Sequence, residues 1–164
     1  MELKPFQIAR INFQVRNSLR PEYSPERIDR LVNYNYQSML YIQKIYKNQK
    51  LFSVIETACL LNGVSLETEE TIIQEFSKKN EKTESYLTNL VYTLKQKNPC
   101  SLEMRTIKDA QYLAQTDILI HKASEYPNKK QEYLEKIKRI KRKIHTKKAK
   151  QIAEEKIKRL KIHP

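Results

Sequence analysis

A single glycine, Gly63, serves all 164 residues. That scarcity constrains the fold more than any other feature. Tight two-residue hairpins of antiparallel sheets lean on glycine for positive φ, so a chain with one glycine cannot build many of them. Apolar residues recur at helical spacing along nearly the whole length, and 31% of residues are charged. Both observations point to an all-α fold. The glycine closes the most apolar stretch, VIETACLLNG (54–63). It is predicted to end a buried helix, because glycine just past a helix adopts the left-handed conformation without strain.

The punctuation predicts about eight helices with no linker long enough to divide them, hence one domain over 1–164. Near the start, PFQIARINFQVRNSL supports a helix through Ile8, Ile11, Val15 and Leu19. The alternation of Ile11, Phe13 and Val15 would suit a strand, but the chain offers no partner strand. Ser24 before Pro25, Ser65 or Thr68 before a run of glutamates, and Ser101 after Pro99 are helix starts. Asn128 and Gln131 have capping-box spacing. Two basic helices over 129–161 close the chain, hinged near His145 and Thr146.

Charge is distributed unevenly. Residues 129–164 hold 15 lysines and arginines against 4 acidic residues, a net of +11 out of the chain's +13. Ile137, Ile140 and Ile144 make an apolar stripe, so these helices are expected to pack inward and turn charge outward. Lys138, Arg139, Lys141, Arg142, Lys143, Lys147, Lys148 and Lys150 form the densest cluster. Such a surface attracts phosphates in a salt-sensitive way, and nucleic acid or another polyanion is the expected partner. An anionic membrane surface or an acidic protein partner would fit the same charge. With no base-reading motif, nucleic-acid binding would tolerate sequence variation.

Other chemistry is thinly supported. One glycine excludes a glycine-rich phosphate loop and a Gly-x-Ser-x-Gly elbow. His121, His145 and His163 show no metal-ligand spacing with one another or with cysteine, and no cofactor is expected. Cys59 lies in the most apolar segment and reads as a buried free thiol. Cys100, near a helix start, also reads as structural. The N-terminal residues MELKPFQIARINF lack the apolar core of a signal peptide, and no window reaches the roughly 18 apolar residues of a membrane span. A cytoplasmic location is expected. The tyrosines of one helix, Tyr34, Tyr36, Tyr41 and Tyr46, are expected to pack their rings with hydroxyls reaching water.

Three stretches, in this order, resemble the HD-domain phosphohydrolase superfamily of all-helical, metal-dependent enzymes. ACLLNG is similar to the family's Ala-Ala-Leu-Leu-His-Asp helix end. SLEMRTIKDAQYLAQTDI resembles its Ser-Leu-Glu … Asp-Ala-Asp-Arg-Leu segment. EYLEKIKRIKRKIHTKKAKQIAEEKIKRL resembles the closing helices of small bacterial members. The resemblance covers about residues 24–161. It implies an HD-like helical bundle whose metal is held by a His, a His-Asp pair and a later Asp. Here the His-Asp pair reads Asn62-Gly63, and the later ligand reads Gln111. Asp109 matches only a neighbouring, non-ligating position. The earlier His falls at Arg27 or, by a shifted alignment, near Asn33. Asn, Gly, Gln and Arg are poor substitutes for imidazole and carboxylate around a divalent ion. The resemblance therefore implies a degenerate, metal-free HD domain, a pseudoenzyme that binds or regulates. The competing expectations are a divergent phosphohydrolase with relocated ligands and a protein–protein adaptor.

Overall fold

The computed structural model describes residues 2–96 and 101–162. They are helical and without strands, in the order α1 (Pro5–Leu19), α2 (Pro25–Ile45), α3 (Phe52–Leu60), α4 (Leu66–Ser77), α5 (Glu81–Leu94), α6 (Leu102–Glu125), α7 (Lys130–Lys143) and α8 (Lys147–Ile162). Short 3-10 turns precede α3 (Gln49–Leu51) and α7 (Pro127–Lys129). Pro99, Cys100 and His163, read above as a break, a thiol and a terminal histidine, lie outside the described residues.

The helix starts follow local chemistry. Ser24, Ser65, Asn80 and Ser101 each accept, through the side chain, the amide three residues on, so an otherwise orphaned donor is satisfied. Of the two candidate starts for α4, Ser65 is the cap. Asn128 does not cap α7: a 3-10 turn intervenes, and α7 begins at Lys130 without a side-chain cap. The first segment is a helix that buries Ile11, Val15 and Leu19 and leaves Phe13 exposed, which disposes of the strand alternation.

Three helices carry the core. α3 is mostly apolar, and from Val54 to Leu60 it is buried. Its one charged side chain, Glu56, is buried with it and accepts the Leu3 amide at 2.7 Å. α2 and α6 pack against it and against each other, and α5 covers α3 from another side. α1 rests on α2 and α4, and α4 pairs with α5. A smaller apolar cluster joins the far end of α6 to the C-terminal hairpin through Ala123, Leu134, Ile137, Ile157 and Leu160. α7 and α8 contact each other and α6, so the basic segment is part of the packed body. Ala149 and Ala153, both fully buried, let α8 approach the main core closely.

Gly63 behaves as its position suggests. α3 ends at Leu60, and Val64 N–H donates to the Leu61 carbonyl across a four-residue turn with Gly63 third. That position calls for positive φ, and Gly63 has φ +81°. A Cβ there would sit 3.0 Å from Leu31 Cδ2. Leu31 can yield, so backbone strain dominates. Gly63→Ala is expected to lower stability by about 1–2 kcal/mol in urea unfolding; an unchanged midpoint would show that the turn relaxes at no cost.

Candidate functional site

Two regions collect the residues that the sequence singles out: the end of α3 with the facing sides of α2 and α6, and the α7–α8 hairpin.

At the end of α3, Asn35 of α2 is buried and its Nδ2 donates to the Asn62 carbonyl at 2.9 Å and to the Leu60 carbonyl at 3.3 Å. Asn62 Nδ2 donates back to Asn35 Oδ1 at 3.1 Å. The pair satisfies carbonyls that every helix C-terminus leaves open. One residue earlier on α2, the Tyr34 hydroxyl donates to the Gln111 carbonyl at 3.3 Å and accepts from Gln115 Nε2 at 3.2 Å. Burial pushes the Tyr34 hydroxyl up to about 12, with Gln115 opposing the shift. Burial likewise pushes the Cys59 thiol up, so it is protonated and inert at neutral pH. Asn35, Asn62, Gln111, Gln115 and a neutral Tyr34 can orient and satisfy backbone groups; none of them titrates near neutrality.

By sequence, the earlier ligand position falls at Arg27 or Asn33. The structure puts both on the exposed side, with the Arg27 guanidinium 4.3 Å from the centre of the Tyr23 ring. Asn35 is the α2 residue that meets Asn62. No spacing in the sequence separates Asn35 from Asn33; burial does. Asp109 turns away from this region, towards the hairpin. Among the described residues, no three His, Cys, Asp or Glu side chains gather as a metal site would require. His121 lies well exposed near the end of α6, beside Glu125.

The α2 tyrosines also differ from expectation. The hydroxyls of Tyr34, Tyr41 and Tyr46 are engaged inside the fold. Tyr41 donates to Asp117, which also receives Lys156, and Tyr46 donates to Glu103 Oε1 at 2.8 Å. Burial raises both phenols, and the neighbouring carboxylates add to the shift. These bonds tie α2 to α6 and α8.

The hairpin is organised by Asp109, whose side chain is fully buried. Its Oδ1 accepts the His145 amide at 2.9 Å and its Oδ2 accepts the Thr146 amide at 2.7 Å. His145 Nδ1 lies 3.3 Å from Oδ1. One carboxylate of α6 thus holds the backbone where α7 ends and α8 begins, near the positive end of α8. Around this anchor the eight basic candidates divide. Lys138 is engaged by Glu135, and Lys141 crosses to Glu154 of α8, so neither is the free cation that the sequence suggested. Lys136 holds Glu132. These lysines hold the carboxyls of Glu132, Glu135 and Glu154 below their usual range. Arg139, Arg142, Lys143, Lys147, Lys148 and Lys150 have no carboxylate in ion-pair range among the described residues. All six are exposed on the two sides of the turn.

No described helix is long and apolar enough to cross a membrane. The chain matches no protein-family model, no curated protein and no solved structure. The likeness to HD domains therefore rests on the three sequence segments alone.

The Asp109 anchor can be tested. Asp109→Asn keeps the shape but replaces one carboxylate oxygen with an amide that cannot accept. It is expected to cost about 1.5–3 kcal/mol, the range for hydrogen bonds to a charged group. Amide hydrogen exchange should quicken at His145 and Thr146 first. Exchange that rises uniformly along α6 instead would mean the carboxylate matters to the core and not to the junction.

Proposed function

We propose that this chain is a non-catalytic binding or regulatory protein, built on a helical scaffold resembling a degenerate HD domain, that engages nucleic acid or another polyanion through its C-terminal hairpin. The observation that carries this reading is the set of six exposed cations at the α7–α8 turn that have no ion-pair partner among the described residues. Four acidic residues lie in 129–164, and three of them already hold Lys136, Lys138 and Lys141. What remains is strongly positive, with Glu155 the one acidic residue of the segment outside those pairs. Two rigid helices joined by a pinned turn hold the cations at fixed spacing, which reduces the side-chain and loop ordering that binding requires. A surface of this kind gains affinity by releasing counterions from a phosphate backbone, without reading bases.

The non-catalytic part of the reading is supported by side-chain chemistry at the end of α3. Asn62 and Gln111 fall at positions where the resemblance would call for carboxylate or imidazole, and the neighbouring Asn35 and neutral Tyr34 offer no titrating group in their place.

The test is binding of a fluorescent 20-nucleotide RNA, and the matching DNA, by anisotropy across a salt series. Wild-type affinity should fall linearly in log–log form as salt rises. Substituting Arg139, Arg142, Lys143, Lys147, Lys148 and Lys150 by Gln should flatten the slope by about 0.7–0.9 for each phosphate no longer neutralised. Salt-independent binding, or an unchanged slope in the variant, would remove the hairpin from the account.

A further inference from the structure

A cavity of about 810 Å³ opens where α2 ends and where α6 and α8 begin. We infer that it is a binding pocket for a small phosphorylated ligand of nucleotide size, with the phosphates over the start of α8 and the organic body against Tyr46 and Leu102. This goes beyond the hairpin surface, since a pocket for a small molecule does not require that nucleic acid bind outside it.

The lining explains the choice. Lys44 and Lys47 come from the end of α2, and Lys147 and Lys148 from the first turn of α8. Glu103 is the single acidic residue among the lining groups. Two helix N-termini, those of α6 and α8, meet at this cavity, and each presents backbone donors and a partial positive charge. The dipole of α2 opposes an anion there, but its two lysines outweigh that fractional charge.

The start of α8 is unusually prepared. Lys150 N–H makes its helical bond to the Thr146 carbonyl, so Thr146 stands at the capping position. A threonine there ordinarily accepts an amide of the first turn. Here the Thr146 hydroxyl is shielded from solvent and has no partner. It therefore caps none of those amides, which remain for a ligand oxygen. Asp109 takes only the two amides that precede them. Lysines are also the wrong sign for a helix start, and Lys147 and Lys148 occupy it. A bound phosphate would relieve that repulsion and satisfy the open donors. The exposed Leu102, backed by the edge of the largely buried Tyr46, gives the same cavity an apolar wall, the other half of a small-molecule site.

Calorimetric titration of the full chain with ATP, and separately with inorganic tripolyphosphate, tests the pocket. Both should bind with one site per chain, ATP the tighter because its base reaches the apolar wall. Lys44→Gln with Lys47→Gln should weaken ATP about tenfold, the scale of losing one charge-assisted hydrogen bond. Glu103→Gln, which removes the one opposing charge, should tighten it. Arg139→Gln with Arg142→Gln, on the outer face of the hairpin, should leave it unchanged. Circular dichroism of each variant checks that the fold is intact. Three results would overturn the inference: no saturable binding of either probe, tripolyphosphate binding as tightly as ATP, or equal losses from the pocket and outer-face variants. Loss of RNA binding in the outer-face variant with ATP binding retained would separate the two proposals.

Discussion

The Asp109 carboxylate is the interaction on which the arrangement of the C-terminal hairpin depends. It lies fully buried in α6, 36 residues before the first of the amides it accepts, and it fixes the point where two basic helices reverse direction. The segment carrying a net of +11 is also held by the cluster of Leu134, Ile137, Ile157 and Leu160 against Ala123, by Ile144 and the alanines of α8 in the main core, and by Lys156 on Asp117, but Asp109 is the side chain that binds the backbone of its turn. Burying a carboxylate is costly unless hydrogen bonds offset the loss of water, and here backbone donors near a helix start do so. The same charge that holds the hairpin tempers the repulsion among lysines gathered at its turn.

That repulsion is informative. Arg142 and Lys143 at the end of α7 complement its dipole, whereas Lys147 and Lys148 at the start of α8 oppose theirs. Stability alone would favour acidic residues in that first turn, as α4 and α5 have. A surface that concentrates one sign where the helix disfavours it is consistent with a negatively charged ligand supplying the missing half. Both the outer face of the hairpin and the cavity at its base share that logic. They differ in ligand size, and Lys147 and Lys148 contribute to both.

Much of the fold was legible because it is written in local patterns. The helical periodicity, the Ser24, Ser65 and Ser101 caps, the glycine after α3 and the burial of Ile137 and Ile144, with Ile140 only half-buried beside them, depend on neighbours within a few residues. What was illegible depends on partners far along the chain. Asn35 rather than Asn33 meets Asn62 because the α3 end packs on one side of α2, which spacing cannot tell. Tyr41 and Tyr46 find carboxylates on α6 instead of water for the same reason. The role of Asp109 was visible only once α6 and the hairpin were seen together. The charge cluster was legible in number but not in pairing, since Lys141 meets an acid on the next helix.

The central claim is that a pinned, strongly cationic turn is the working surface of this protein. Hydrogen-exchange mass spectrometry of the chain, with and without a 20-nucleotide RNA at low salt, tests it most directly. The account predicts added protection concentrated in 139–150, with α1, α4 and α5 unchanged. Protection on the α1–α4 side with 139–150 unaltered, or no change anywhere at saturating RNA, would contradict it.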